Sequence, residues 1–522
     1  MNVDEEGLSL ISKGKKGFWS IVFSRTGIVA VLFLLQIFMV FALFRWFAAY
    51  ALHFYGLVIA INFVMVIALI NSRHEPTAKI TWLIVLLVMP VFGALLYLYT
   101  QSDVGHRAVK FRLQQLEKRG RGMIQQDEKV MEALEAQNPG TAALVRYMSR
   151  SGCYPAFDRT RVTYFSQGED KWERMIMALE SAKDFIFMEY FIIEEGAMWG
   201  RILEILARKA KEGVEVRVMY DGMCEFSRLP GDYPARLRKL GIRCKVFAPL
   251  SPMLSTHYNY RDHRKILVVD GLTAFTGGVN LADEYINRIK RFGHWKDTAV
   301  MLEGEAVRSF TMMFLQMWHL SERQQPYDRY LNVPQVPAEG SGFVIPYADC
   351  PLDDDKLGER VYLDILNRAR RYVHIMTPYL ILDHELEDAL CYAAQRGVEV
   401  KLILPGVPDK RIPYALAKTY YPALLEAGVK IYEYTPGFVH AKVFSSDDDT
   451  AVVGTINLDY RSLYHHFECA AYLYRTACIA DIEKDFADTL KQCLLVTKDT
   501  LKKEPLMRRL TGAAAKTIAP LL

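Results

Sequence analysis

Residues 211–222 read KEGVEVRVMYDG, and residues 395–406 read QRGVEVKLILPG. Each turns at a Gly after a helical pattern, ILEILARKA at 202–210 and LEDALCYAA at 386–394, and runs into an apolar, β-branched stretch. Each helical pattern is itself preceded by an apolar run, FIFMEYFII at 185–193 and VHIMTPYLI at 373–381. Strand, helix, Gly turn, strand is a βαβ unit, whose two strands pair in parallel. A second helix-to-strand step follows in both places, LRKLGIRCKVF at 237–247 and LLEAGVKIYEY at 424–434. The repeat predicts an α/β fold of two homologous halves, 156–335 and 336–522, divided where Gln, Pro and Gly gather near 325–345.

Two polar motifs occupy matching places in those halves. The first is His263-Arg264-Lys265-Ile266-Leu267-Val268-Val269-Asp270, the second His440-Ala441-Lys442-Val443-Phe444-Ser445-Ser446-Asp447. Both are HxKxxxxD. Residues two apart on a strand share a face, so each His and its Lys point the same way. Gly277 and Gly454 follow their His by fourteen residues, Asn280 and Asn457 by seventeen. One such motif is weak evidence; two copies with matched Gly and Asn are not coincidence.

These residue types suit exchange at a phosphodiester. A neutral imidazole is a nucleophile near pH 7, and a covalent intermediate divides one hard displacement into two easier ones. A second His can protonate the leaving alkoxide and then take the proton of the incoming alcohol. Lys265, Lys442, Asn280 and Asn457 can hold the non-bridging oxygens. Such chemistry requires no metal or cofactor, and no ligand cluster in the sequence demands one. Asp270 and Asp447 complete the catalytic motif by pattern. They stand five residues past their Lys, on the opposite face of a regular strand, where a turn-holding role is expected.

With these motifs in both halves, the chain resembles the phospholipase D superfamily over about residues 150–500. More narrowly it is similar to the bacterial cardiolipin synthases. That likeness rests on INFVMVIALINSRHEPTAKITWL at 61–83, HRKILVVDG at 263–271, GGVNLADEY at 277–285, FGHWKDT at 292–298, GTINLDYRS at 454–462 and the ending Ala519-Pro520-Leu521-Leu522. The resemblance implies one active site between two halves, with phosphatidylglycerol and cardiolipin as lipid partners. It implies phosphatidyl transfer between two phosphatidylglycerols, releasing glycerol. Rival readings are a hydrolytic phospholipase D, a membrane-tethered nuclease and a scaffold with a decayed site. The residues alone leave open which His attacks; the resemblance implies His263 as nucleophile and His440 as general acid and base. It also implies a carboxylate partner for the catalytic His, near Asp297 and near Glu468. His466 stands where the family usually has Asn and is expected to be a tolerated neighbour. Glu189-Tyr190 and Pro378-Tyr379 match between the halves and are candidates for the substrate entrance, as is the Met- and Tyr-rich segment 249–262.

The 522-residue chain has a mean hydropathy of +0.04 and a net charge of +4, averages that conceal two regions. Gly27 to Phe44, Trp46 to Ser72 and Ile80 to Ser102 lack Lys, Arg, Asp and Glu. A bilayer needs about 20 apolar residues per helix, so residues 1–104 are expected to hold two or three spans, near 27–45, 52–71 and 80–100. A basic linker is expected at 105–155, where Arg107, Lys110, Arg112, Lys118, Arg119 and Arg121 suit anionic lipid heads. That cluster favours a cytoplasmic position for the catalytic part, and the resemblance implies a multi-pass protein of the bacterial inner membrane. The charge divides as +2 on residues 1–104 and +2 on the rest, too little for a nucleic-acid groove. The eight Cys form no CxxC pair and are expected to be buried, reduced thiols.

Overall fold

The computed structural model describes residues 2–4, 7–9, 33–34, 37–38, 41–42, 45, 51–72, 74–101, 104–152, 154–248, 260–322, 326–335, 339–353 and 355–521. Its body is a pair of sheets with one topology used twice. In the first, the strands run in the order Thr160–Phe165, Ala299–Gly304, Thr273–Gly277, Lys265–Val269, Phe185–Tyr190, Glu215–Asp221, Arg243–Phe247. In the second the order is Phe343–Asp349, His466–Tyr474, Thr450–Gly454, Val443–Ser446, Tyr372–Met376, Glu399–Pro405, Lys430–Tyr434, with Cys493–Leu495 added at the edge. The βαβ strands are parallel, Phe185–Tyr190 with Glu215–Asp221 and Tyr372–Met376 with Glu399–Pro405. The strands that carry the two motifs run antiparallel to both neighbours.

Alternation along the first motif strand decides what goes where. Ile266 and Val268 face the core shared by both halves, beside Val443, Val453, Cys469 and Ala471. Leu267 and Val269 face the outer core, under the helix Ala197–Lys211 with its buried Trp199 and Ile202. The helix Val307–Trp318 is buried along most of its length and belongs to the shared core through Phe310, Phe314 and Trp318. One apolar interior thus runs through both halves.

Asp270 and Asp447 lie at matching left-handed turns, with φ of 53° and 56°. The Asp270 carboxylate accepts the backbone N–H groups of Lys183, Asp184 and Phe185, all at 2.8 Å. Asp447 accepts those of Arg370, Arg371 and Tyr372 at 2.7, 2.8 and 3.0 Å. Each therefore fastens its motif strand to the start of the first βαβ strand, away from the imidazoles; the catalytic grouping that pattern suggests is corrected to a structural one. Gly277 and Gly454 mark close approaches between strands: a Cβ would fall 2.4 Å from the Thr298 carbonyl oxygen in one and 2.4 Å from Ala470 Cβ in the other.

The N-terminal region departs from expectation. The stretch expected as one span at 80–100 is two helices, Pro76–Val88 and Pro90–Gln101. Pro90 has no N–H to donate and pushes the preceding residue out of the helical region; Met89 indeed sits at φ −134° and ψ 72°. At 13 and 12 residues the pieces are about 18–20 Å long. The expected span at 52–71 is the helix Ala51–Ile70, and the one at 27–45 lies largely outside the described residues. Among the described residues no helix is long and apolar enough to cross a membrane, and the expected set of transmembrane helices is corrected to that extent. These helices share a seam of Leu69, Trp82, Leu86 and Tyr97. They present Leu57, Ile59, Phe63, Val64, Leu87 and Val88 outward.

The stretch 105–155 is helical over Val104–Gly120, Glu128–Gln137 and Pro139–Gly152. Val130, Leu134, Leu144, Val145 and Met148 enter the core of the second half. Arg112 donates to the Glu322 carbonyl at 2.6 Å, which ties this helix to the first half. Of the seven described cysteines none is paired; Cys224, Cys244, Cys469 and Cys478 are buried and Cys350, Cys391 and Cys493 partly so. Cys153 lies outside the described residues.

Asp270→Ala strips three backbone donors of their acceptor and is expected to lower folding stability by about 1–3 kcal/mol. Chemical denaturation checks it, and an unchanged midpoint would contradict the anchoring role.

Candidate active site

Two short parallel ladders join the halves and set the site. Arg261–Asp262 pairs with the start of His466–Tyr474, in the register Arg261 to His466 and Asp262 to Phe467. One step further, His263 stands opposite Glu468. His294–Lys296 pairs with Gly437–Val439, in the register Trp295 to Phe438 and Lys296 to Val439. One step further, His440 stands opposite Asp297. The ladders are held at those points by the His263 N–H donating to the Phe467 carbonyl (2.9 Å) and the His440 N–H donating to the Lys296 carbonyl (2.7 Å).

The side chains follow the register. His263 Nδ1 lies 2.9 and 3.0 Å from the two oxygens of Glu468. His440 Nδ1 lies 2.6 Å from Asp297 Oδ2. Counted along the chain, each carboxylate follows the His of its own half; in space, each serves the His of the other. A carboxylate at Nδ1 keeps the proton there and leaves Nε2 with a lone pair. Asp297 Oδ1 also accepts the Thr298 N–H at 2.8 Å, and Glu468 accepts the Thr455 hydroxyl.

All four groups are buried, and burial governs their ionisation. It pushes His263 well below the usual imidazole range and His440 down to about 4. Burial would raise Glu468, but His263 beside it outweighs that and holds the carboxyl far below its ordinary range. A neutral imidazole donating Nδ1–H to an ionised carboxylate fits both directions. Burial also pushes Lys265 down to about 8 and Lys442 to about 7, with Asp297 and Glu468 opposing it in both. Lys265 in turn lowers His440, so the groups of the two halves share one electrostatic environment. Each Lys donates to the carbonyl of its own motif His.

The two Asn differ. Asn280 Oδ1 accepts the Ile192 N–H at 3.0 Å and its Nδ2 donates to Tyr285 Oη at 2.8 Å, which leaves one N–H for a ligand. Asn457 Oδ1 is buried without a partner. Of the entrance candidates, Glu189 and Tyr190 are wholly buried, and Glu189 forms an ion pair with Arg264. They do not line an entrance, because this βαβ strand is covered on both faces. Pro378 and Tyr379 do border a shallow, open groove, together with Asp409, Lys410 and Phe438. Most of segment 249–262 lies outside the described residues.

Four further residues contribute to the site without being singled out by the motif spacing. Lys171 is buried, donates to the Val279 carbonyl at 3.2 Å and is pushed by burial down to about 7. It reads as an ordinary charge on an amphipathic helix. Tyr285, Trp295 and Phe191 pack as rings on the imidazoles, at 5.4 Å and 5.4 Å from His440 and 4.9 Å from His263. Thr455 had a possible signal in its place between Gly454 and Asn457.

The family described as "Cardiolipin synthase, PLD-like domain" matches residues 175–318 and 362–490. "Phospholipase_D-nuclease N-terminal" matches residues 60–100. A protein of Streptococcus mutans serotype c is 57% identical, over 88% of this chain and 99% of its own. A cardiolipin synthase of Alkalihalophilus pseudofirmus is 34% identical, over 89% of this chain and 92% of its own. In fold, the chain is similar to the crystal structure of a phosphatidylserine synthase from Haemophilus influenzae, with a TM-score of 0.56 and 14% identity, over 73% of this chain and all of that one.

A Cβ on Gly278 would fall 2.0 Å from Asp297 Oδ1. Gly278→Ala is therefore expected to displace the carboxylate and cut turnover about as far as Asp297→Asn does, on the order of 10³–10⁴-fold if the tautomer is lost. Steady-state rates of the two variants check this, and wild-type turnover in Gly278→Ala would contradict the positioning.

Proposed function

The chain belongs to the family of cardiolipin synthases with PLD-like domains, and we propose that it joins two phosphatidylglycerols into cardiolipin at the crossed His–carboxylate pairs. His263 Nε2 attacks the phosphorus of the first lipid, and the bond to its glycerol breaks. His440 takes up a proton at Nε2 when the anionic phosphate binds beside it, its charge offset by Asp297 at Nδ1, and gives that proton to the leaving glycerol oxygen. The terminal hydroxyl of the second lipid then returns a proton to His440 and attacks the phosphorus, freeing His263. One phosphodiester is made for each one broken, so no nucleotide is consumed. Lys265, Lys442, Asn280 and Asn457 hold the non-bridging oxygens as charge grows on them.

The observation that carries this reading is the pairing of each buried His with a carboxylate at Nδ1. It equips one imidazole to attack through a free Nε2 and sets the other against a carboxylate that offsets the charge it takes on as it shuttles a proton. The depth of the site also favours a lipid alcohol over water in the second step.

The apolar N-terminal helices support a seat at the bacterial membrane, where both lipids reside. The C-terminal helix Leu506–Lys516 adds exposed Leu506, Met507 and Leu510 beside Arg508 and Arg509, a composition suited to an anionic interface. Thr81 Oγ1 donates to the Thr517 carbonyl at 2.9 Å, which joins the two apolar regions into one surface. The basic helix Val104–Gly120 supports a cytoplasmic position for the catalytic halves.

Purified enzyme given phosphatidylglycerol alone is expected to yield cardiolipin and glycerol by mass spectrometry; phosphatidic acid without cardiolipin would sink the reading. Peptide mapping kept at alkaline pH, where a phosphohistidine bond survives, is expected to find the covalent phosphatidyl group on His263 and none in His263→Ala. Since burial keeps both imidazoles neutral in the free enzyme, kcat/KM is expected to show no inflection near 6.5. Its decline with pH should instead steepen from about pH 7–8 upward, as Lys442 (about 7) and Lys265 (about 8) lose their charge. A loss of activity centred near 6.5 on the acid side would contradict this assignment.

A further inference from the structure

His466 is not used in the reaction above, yet it sits at its centre. It precedes Glu468 by two on one strand, so both side chains lie on the same face. Its ring centroid is 5.4 Å from that of His263, and its Nδ1 is 3.8 Å from Glu468 Oε1. The residue is 8% exposed, and neither ring nitrogen has a hydrogen-bond partner. The matching position in the other half, two before Asp297, is Trp295, whose ring packs 5.4 Å from His440. The second half therefore puts an imidazole, able to offer a nitrogen lone pair, where the first has an indole whose Nε1–H is also buried without a partner and offers none. Packing alone does not explain an imidazole there, because a buried polar atom without a partner is unfavourable.

We propose that His263, His466 and Glu468 form a binding site for a divalent cation of the zinc class, and that filling it switches the enzyme off. The ligand atoms of the three side chains lie within 4.8 Å of one another. Tetrahedral zinc with bonds of 2.0–2.1 Å places its ligand atoms about 3.3 Å apart. Glu468 Oε1 is 2.9 Å from His263 Nδ1 and 3.8 Å from His466 Nδ1, so small rotations bring all three to a cation. Two imidazoles and a carboxylate are a donor set zinc accepts, with water as a fourth ligand. The cation bonds to His263 Nδ1 and displaces its proton, which moves to Nε2. Nε2 then carries hydrogen instead of a lone pair and cannot attack phosphorus. Among the described residues no equivalent ligand cluster lies beside His440. The inhibitory consequence rests on His263 as the nucleophile; the binding itself does not.

Cobalt(II) added to the full-length enzyme without lipid is expected to give the visible absorption of a tetrahedral site, lost in His466→Asn. Zinc chloride is expected to inhibit wild-type turnover reversibly, with EDTA restoring it. His466→Asn should keep its zinc-free rate and need at least about tenfold more zinc for the same inhibition. X-ray absorption of the zinc-loaded wild type should count two imidazoles and no sulfur, a reading that does not depend on any variant. Equal zinc sensitivity in wild type and His466→Asn would overturn the proposal. So would a sulfur ligand, which would put the cation at Glu117, Cys350 and Asp353 instead. A two-imidazole site without any effect on turnover would overturn the switch while leaving the proposed reaction untouched.

Discussion

Everything at the catalytic centre depends on two parallel ladders only two and three residue pairs long. Each ends where a motif His meets a carboxylate of the opposite half. Backbone register, rather than side-chain flexibility, therefore sets the distance between imidazole and carboxylate. A slip of one residue in either ladder would turn the partner to the other face. The halves are also one body for this reason: separated, each would carry an imidazole without its carboxylate and a carboxylate without its imidazole.

Burial does the rest. Surrounding the two imidazoles with Phe191, Tyr285 and Trp295 removes water, and burial keeps the imidazoles neutral and holds the lysines near the point of losing their charge. A single negatively charged phosphate entering such a site meets fixed, poorly solvated donors, and interactions there are stronger than in water. The same burial makes a free ring such as His466 conspicuous. The two halves share a topology but not an environment, and the difference lies in what stands two residues before each carboxylate.

The motif Asp residues and the motif Gly residues serve the frame. Asp270 and Asp447 tie the strand that follows each His to the beginning of the neighbouring strand. Gly277 and Gly454 let the next strand approach closely enough to bring Asn280 and Asn457 around. A pattern of spaced polar residues is thus part chemistry and part scaffold, and the pattern alone does not say which is which.

The sequence by itself determined the duplication, the strand that carries each motif, and the identity of His263, Lys265, His440 and Lys442. Those features follow from local periodicity and from a repeat that any reader can count. It also exposed the apolar N-terminal stretch, although Pro90 divides a run that composition alone reads as continuous. Only the tertiary structure decided that Glu468 serves His263 and Asp297 serves His440. Only it brought in Lys171 from a distant helix and set His466 against His263. The physical reason is that periodicity reports which face a residue takes on its own element, whereas these contacts depend on the register between strands more than a hundred residues apart, which only the packed core of both halves sets.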